Sequence, residues 1–537
     1  MVTSAHPLAS EVGVAILKQG GNAVDAAVAT TLAISVVEPF SAGLGGGGFL
    51  LYRQANTGNI TALDFREKAP HSATQAMYLD AQGKVRPKAS TDGYLAVAVP
   101  GTVAGLAAVH QRYGRRPWAT LVQPAITLAE QGFIVSERFS RATVQRLDPL
   151  KQNPAARTIF APNGQPLNPG ARLIQRDLGR TLRTISQTPH AFYTGTIATA
   201  IARDMQRNGG LITTNDLKAY RPTWRSPVCG AFKRMEVCSM PPPSSGGVHL
   251  IQLLNLWSNA YVAKTPWHHP NALHFMAESM KIAYADRAIH LGDPGFVTVP
   301  VTALINPAYA ALRRGEISMQ RTRPATSVKA ASPELLRQYL RQSESTETSH
   351  LNVVDQYRNA VSLTFTVNLG FGAGVVAANT GIILNNEMDD FAIAPDTPNA
   401  FGLVGQQANA IAPGKIPLSS MTPTLVTERR RLKLAVGAPG GSTIITTVYQ
   451  ILLNTLHYDM DAGQAVEAAR LHHQWQPDTL RVEKYGFDPL TLKDLKTRGH
   501  DIGERLPWGN ANLIMVQPDN MLAGAADPRG EGVAVGY

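Results

Sequence analysis

Cysteine is nearly absent: Cys229 and Cys238 are the only two in 537 residues. They stand symmetrically about Lys233-Arg234 in a segment that reads as a hairpin, which lets them face one another and bond; we read them as two reduced, half-buried thiols. Long apolar runs are missing too. The longest near the start, Ala26 to Val37, falls short of the roughly 20 residues a membrane span needs and ends at Glu38-Pro39, so no transmembrane helix is expected. The opening Met1-Val2-Thr3-Ser4-Ala5-His6-Pro7 holds no basic region followed by an apolar stretch, and by itself neither shows nor excludes export. No Walker sequence appears, no G-x-S-x-G elbow surrounds Ser244 or Ser245, and no internal repeat has a solenoid period. Metal-ligand spacing is absent as well, since adjacent His472-His473 are poorly placed to share one ion on a helix face. Neither a metal nor an organic cofactor is expected.

What is present is ordinary globular material. A hydrophobic share of 44% and a charged share of 17% fit a chain with ample core, and the 46 glycines and 36 prolines indicate many turns without a low-complexity tract. The net charge of +11 does not point to nucleic acid, because the basic residues are scattered. Their densest run, Arg429-Arg430-Arg431 with Lys433, reads as a turn entering an apolar strand.

Periodicity divides the chain. An Ala-rich helix (Gly21 to Val37), a glycine loop and two strands (Phe49 to Arg53, Ile60 to Phe65) indicate layered α and β structure. Residues Thr102 to Leu340 read as helix-rich, with amphipathic stretches at Thr102 to Tyr113 and Leu250 to Trp257, and should cover a sheet. The polar segment Arg341 to Glu347 then gives way to a β-rich part, with strands at Leu351 to Asp355 and Ala360 to Val367 joined by the turn Gln356-Tyr357-Arg358-Asn359.

Two glycine clusters invite different readings. Gly43-Leu44-Gly45-Gly46-Gly47-Gly48 fits G-x-G-x-x-G formally, but a dinucleotide fingerprint follows a strand and opens a helix, whereas Phe49-Leu50-Leu51-Tyr52 continues as a strand. Close backbone approach or positive φ explains these glycines better. Gly437-Ala438-Pro439-Gly440-Gly441-Ser442 lies between a strand (Leu432 to Val436) and a helical run (Thr443 to Leu453). It is either a helix-start turn or a set of N–H groups presented to negative charge. Pro243-Ser244-Ser245-Gly246-Gly247 is equally open.

A threonine hydroxyl needs a base, and an N-terminal threonine carries one in its own α-amine, whose ordinary pKa of roughly 7.7 to 8.0 leaves an unprotonated fraction near neutrality. Thr348 becomes N-terminal only by cleavage after Glu347. Local chemistry does not single it out; the surrounding pattern does.

That pattern resembles the γ-glutamyltransferase family. It is carried by Glu347-Thr348-Ser349-His350-Leu351-Asn352-Val353-Val354-Asp355, Gly20-Gly21-Asn22-Ala23-Val24-Asp25-Ala26-Ala27, the glycine loop and Asp64-Phe65-Arg66-Glu67. Further along it includes Met240 to Gly247, Leu384 to Phe391, Pro417-Leu418-Ser419-Ser420-Met421 and Gly440-Gly441, in family order over nearly the whole chain. The resemblance implies an α/β (α+β) fold, a four-layer αββα sandwich of the N-terminal-nucleophile type. It also implies a precursor that cuts itself into a large subunit (1–347) and a small one (348–537), which together make one heterodimeric unit.

By the same resemblance Thr348 attacks a γ-glutamyl carbonyl, Thr366 hydrogen-bonds the nucleophile with Thr364 as a weaker companion, and Gly440 and Gly441 hold the oxyanion. Arg66, Ser419 and Ser420 take the donor's α-carboxylate; Asn368, Glu387 and Asp390 take its α-ammonium. The implied partners are glutathione, other γ-glutamyl compounds and amino-acid or dipeptide acceptors, and the implied location is periplasmic or secreted. Two departures stand out. Ser349 occupies a position where Thr is common, and Phe401, within the lid-like segment Pro395 to Gly402, stands where a capping tyrosine is usual. Our hypothesis is a leakier site with an altered balance of hydrolysis and transfer. The alternatives are a β-lactam (cephalosporin-type) acylase of the same superfamily, which would leave Glu387 and Asp390 without an ammonium partner, and a non-cleaving homologue that binds γ-glutamyl peptides.

Overall fold

Strand alternation and turn chemistry build two antiparallel sheets in the computed structural model, which describes residues 1–258, 260–338, 350–394 and 397–537. Glu347, Thr348, Ser349 and Pro395 lie outside the described residues. The first sheet runs Val533–Val535, Val2–Ser4, His350–Val354, Ala360–Thr366, Gly47–Arg53, Ile60–Phe65, Thr223–Arg225. The second runs Leu522–Ala526, Asn512–Val516, Arg431–Gly437, Thr424–Glu428, Met235–Ser239, Val228–Phe232. Neighbours in both are antiparallel.

The sheets face each other through a buried apolar layer. Phe49, Leu51, Ala62, Val354 and Ala360 of the first meet Leu425, Leu432, Ala435 and Ile514 of the second. Helices cover the outer faces. Ala23–Val37 is buried along all 15 residues, which its run of small side chains permits, and starts with an Asn22/Asp25 capping box. It joins Pro7–Lys18, Thr102–Tyr113 and Trp118–Gln131 over the first sheet, while Gly246–Trp257, Pro270–His290 and Ile444–Leu456 cover the second. The result is the αββα sandwich expected.

Three expectations are refined. The helix-rich region does more than cover a sheet: Thr223–Arg225 edges the first sheet, and Val228–Phe232 with Met235–Ser239 completes the second. Strands from before and after position 348 share both sheets, so the chain is not two side-by-side domains. The cysteines are corrected: they form a disulfide, with an S–S distance of 2.09 Å. The reason is register, since the hairpin sets Cys229 directly opposite Cys238.

Candidate functional site

The strand that follows position 348 enters the first sheet at His350, opposite Thr364. Thr348 and Glu347 are outside the described residues; the groups around that strand end are not. His350 is buried against Gly437, its Nδ1 is 3.0 Å from Thr364 Oγ1 and its Nε2 is 2.9 Å from Asn352 Oδ1. Burial pushes its pKa down to about 3, so it is a neutral spacer between the sheets rather than a charge. Thr366 ends the next strand, where its Oγ1 accepts from the Asn368 N–H at 2.7 Å. Asn368 has a left-handed φ of 75°, and its Nδ2 donates to the Asn386 carbonyl at 3.0 Å.

The first glycine cluster serves close approach. A Cβ at Gly46 would overlap the Thr366 carbonyl, and one at Gly45 the Ile383 carbonyl. Asn385 and Asn386 then fasten this loop: Asn385 Nδ2 donates to Gly45 and Ala98 carbonyls, each at 2.8 Å, and Asn386 Oδ1 accepts from Leu369 N–H at 3.0 Å. These asparagines therefore deliver the turn Glu387–Asp390 to its place.

Arg66, just past the strand Ile60–Phe65, meets that turn. Its guanidinium donates to Glu387 Oε1 and to Asp390 Oδ2, the latter at 2.6 Å, and lies 3.8 Å from Glu67. Both side chains of the Arg66–Glu387 pair are fully buried. Three carboxyl groups around one cation in a dry site are electrostatically unbalanced, and burial accordingly raises the Glu67 carboxyl to about 7 against the pull of Arg66. Glu67 was not among the residues singled out from sequence, although it adjoins Arg66.

Ser419 and Ser420 are buried on a segment braced by the other ambiguous motif. Ser245 donates through N–H and Oγ to the Ser419 carbonyl, at 3.0 and 2.6 Å, and Ser244 Oγ donates to the Met421 carbonyl at 2.9 Å. Ser244 and Ser245 are thus a brace. Ser419 Oγ, Asn368 Oδ1 and both Glu67 carboxyl oxygens are among the buried side-chain atoms with no hydrogen-bond partner among the described residues.

The second glycine cluster is a strand-to-helix turn, with Gly440 at φ 139° and Gly441 at φ 55° before the helix Ile444–Leu456. A Cβ on Gly441 would strike the Phe401 ring, which lies across this turn. Asn399 shapes the Phe401 segment by accepting from Phe401 and Leu403 N–H, and its Nδ2 reaches Asp390 Oδ1 at 3.2 Å. Gln474 Nε2 holds the Phe401 carbonyl at 3.2 Å. Among the described residues the metal-type group Cys229, Glu236 and Cys238 has both sulfurs taken up by the disulfide.

The sequence model of the family described as Gamma-glutamyltranspeptidase matches residues 9–537. The chain belongs to that family. It is similar to the glutathione hydrolase proenzyme of Escherichia coli (strain K12), with 46% identity over 540 residues covering 100% of this chain and 92% of that protein. The cephalosporin acylase structure from Bacillus halodurans aligns with a TM-score of 0.87 and 28% identity, covering 100% of this chain and 95% of that one. Helicobacter pylori gamma-glutamyltranspeptidase aligns with a TM-score of 0.60 and 44% identity over 61% of this chain and 94% of that one. The fold is the N-terminal-nucleophile hydrolase sandwich.

Proposed function

We propose that this gamma-glutamyltranspeptidase family member is a γ-glutamyltransferase with glutathione hydrolase activity, matured by cleavage between Glu347 and Thr348. The observation that carries the reading is the buried Arg66, held by Glu387 and Asp390; the Ser419 hydroxyl and the Asn368 amide oxygen, also buried, lack partners among the described residues. A glutamyl donor brings a carboxylate and an ammonium on one carbon. Its carboxylate takes Arg66, Ser419 and Ser420; its ammonium takes Glu387, Asp390 and Asn368. The pairs of Arg66 with Glu387 and Asp390 are exchanged for Arg66 with the carboxylate and the two acids with the ammonium, so neither the cation nor the acids are left unpaired.

Thr348 Oγ then attacks the γ-carbonyl while its α-amine accepts the proton, Thr366 orients the hydroxyl, and Gly440 and Gly441 N–H groups receive the oxyanion. The leaving amine departs protonated, and water or an acceptor amine resolves the ester. Both sheets contain strands from each side of position 348, which would keep residues 1–347 and 348–537 together after cleavage, and the Helicobacter pylori chain matching only 61% of this one supports two subunits. The disulfide supports an oxidising compartment, periplasmic or extracellular. Among the described residues no helix is long and apolar enough to cross a membrane. An acylase acting on dicarboxylic side chains would leave Glu387 and Asp390 with Arg66 displaced and no ammonium to accept.

Intact mass of fresh and aged protein tests the reading, followed by turnover of glutathione beside a glutaryl amide. Two fragments, meeting at Glu347 and Thr348, and preference for glutathione are expected. A chain that stays single, or one that prefers the glutaryl amide, overturns it.

A further inference from the structure

The histidine pair His472-His473 and the glutamine after it have no part in donor recognition, yet they reach the cover of the reacting end. Gln474 is buried, and its Nε2 donates to the Phe401 carbonyl at 3.2 Å while its Oε1 accepts from Ser442 Oγ at 2.9 Å. Ser442 follows Gly441 in the turn Gly441–Thr443, and the Phe401 ring lies across that turn. One amide thus joins the cover to the glycine turn.

The orientation of that amide is forced. A carbonyl only accepts, so the amide turns its N–H toward Phe401 and its oxygen toward Ser442. His472 Nε2 is 3.0 Å from the same oxygen and therefore carries the ring proton. Burial pushes the His472 pKa down to about 3, so the ring is neutral and holds one proton only. Its Nδ1 then accepts from Thr446 Oγ1 at 2.9 Å, and the single proton of that hydroxyl goes there although the Thr443 carbonyl is 3.0 Å away. His473 serves another contact, with its Nε2 3.2 Å from Asp478 Oδ1. Ser442, Thr446, His472 and Gln474 are all buried, which shields these bonds from competition by water.

We propose that Gln474 is a positioning residue that holds the Phe401 cover against the glycine turn, with His472 fixing its amide, and so limits the water that reaches the glutamyl ester. This rests on the reading above that the ester forms beside that turn. Gln474 touches no reacting atom, and its effect passes through the cover.

The test combines amide hydrogen exchange of residues 397–403 with product partition at fixed acceptor, on processed enzyme with γ-glutamyl anilide as donor. Gln474→Met keeps the length of the side chain and loses its hydrogen bonds. Exchange of that segment then quickens about tenfold and the ratio of hydrolysis to transfer rises about threefold to tenfold, with donor KM within about twofold. Ser442→Ala frees one side of the amide oxygen but leaves His472 to orient it, so exchange of the cover rises no more than about twofold. Unchanged exchange in Gln474→Met overturns the tie, and quickened exchange with an unchanged product ratio overturns its role against water. Equal loosening in Ser442→Ala, a general loss of packing, overturns both. Exchange is read without turnover, so a protein that acts on no γ-glutamyl donor would sink the reading above and the shielding with it, while the exchange comparison still decides the tie. Should Gln474→Met not fold, that comparison is made with Gln474→Glu, whose ionised carboxylate keeps both acceptor roles and offers Phe401 no donor.

Discussion

The two ends of the site are built from opposite materials. The donor end is crowded with charge: Arg66, Glu67, Glu387 and Asp390 are buried together, with Arg287 behind the serines. The reacting end is uncharged, made of Thr366, a neutral His350, the Gly440-Gly441 turn and the Phe401 ring. In the proposed function, side-chain charge would do the recognising and backbone conformation would serve the chemistry. Substitutions at the first end should therefore act through donor affinity and pH, and at the second through kcat.

The sharpest test of that division is Gly441→Ala. The position has φ 55° and no room for a Cβ beneath Phe401, so the N–H turns away from the oxyanion. A fall in kcat of about 10²-fold or more is expected, with donor KM within about twofold; a change confined to KM would break the division. Next comes Arg66→Lys. One ammonium cannot bridge Glu387 and Asp390 as the fork does, and a fall of about 10²-fold in donor kcat/KM, mostly in KM, is expected from steady-state kinetics.

A smaller effect separates the ends by pH. Glu67 faces Arg66, Glu387 and Asp390, with Tyr193 and Tyr220 nearby, and burial raises its carboxyl to about 7. Because the folded value is raised, the neutral acid suits the site below about 7, and a new negative charge appears beside Arg66 as pH rises through it. That charge competes with the donor's carboxylate, so donor KM should climb about threefold to fivefold across this range, and Glu67→Gln should flatten the climb. A Glu67→Gln profile that keeps the same inflection would assign it elsewhere.

The fold was legible wherever a local signal existed. Thr102–Tyr113 reads as an amphipathic helix, and the strands read at Ala360 to Val367 and Phe49 to Arg53 appear as Ala360–Thr366 and Gly47–Arg53. The assembly of Thr223–Arg225 and Met235–Ser239 into different sheets was not legible, because short edge strands carry no sign of their partners. In the site, the types of Arg66, Glu387 and Asp390 were legible as complementary to an α-amino acid, yet nothing in the sequence says that the acids rest on Arg66 itself. Gln474 was missed because a loop glutamine ordinarily means solvent, and only its burial against Ser442, His472 and Phe401 marks it. The cysteine pair was placed in the right register and missed only in its bonding, because a hairpin sets two cysteines opposite one another without fixing their redox state.

Phe401 joins the two ends and gives the smallest effect. Its segment is tied to the donor end by Asn399 on Asp390 and to the reacting end by its ring over Gly441 and its carbonyl on Gln474. A phenyl ring covers the turn without a polar anchor of its own, so closure depends on the backbone ties alone. Phe401→Tyr adds a hydroxyl able to hold the cover shut, which should reduce water entry more than acceptor entry, because a bound acceptor occupies the site while water must leak into it. At fixed acceptor, the share of ester lost to hydrolysis should fall about twofold to fivefold, the scale of one hydrogen bond, with Gly441-dependent kcat little changed. An unaltered ratio of hydrolysis to transfer products would show that the ring, and not the missing hydroxyl, sets the leak, and the two ends would then be coupled through Asn399 instead.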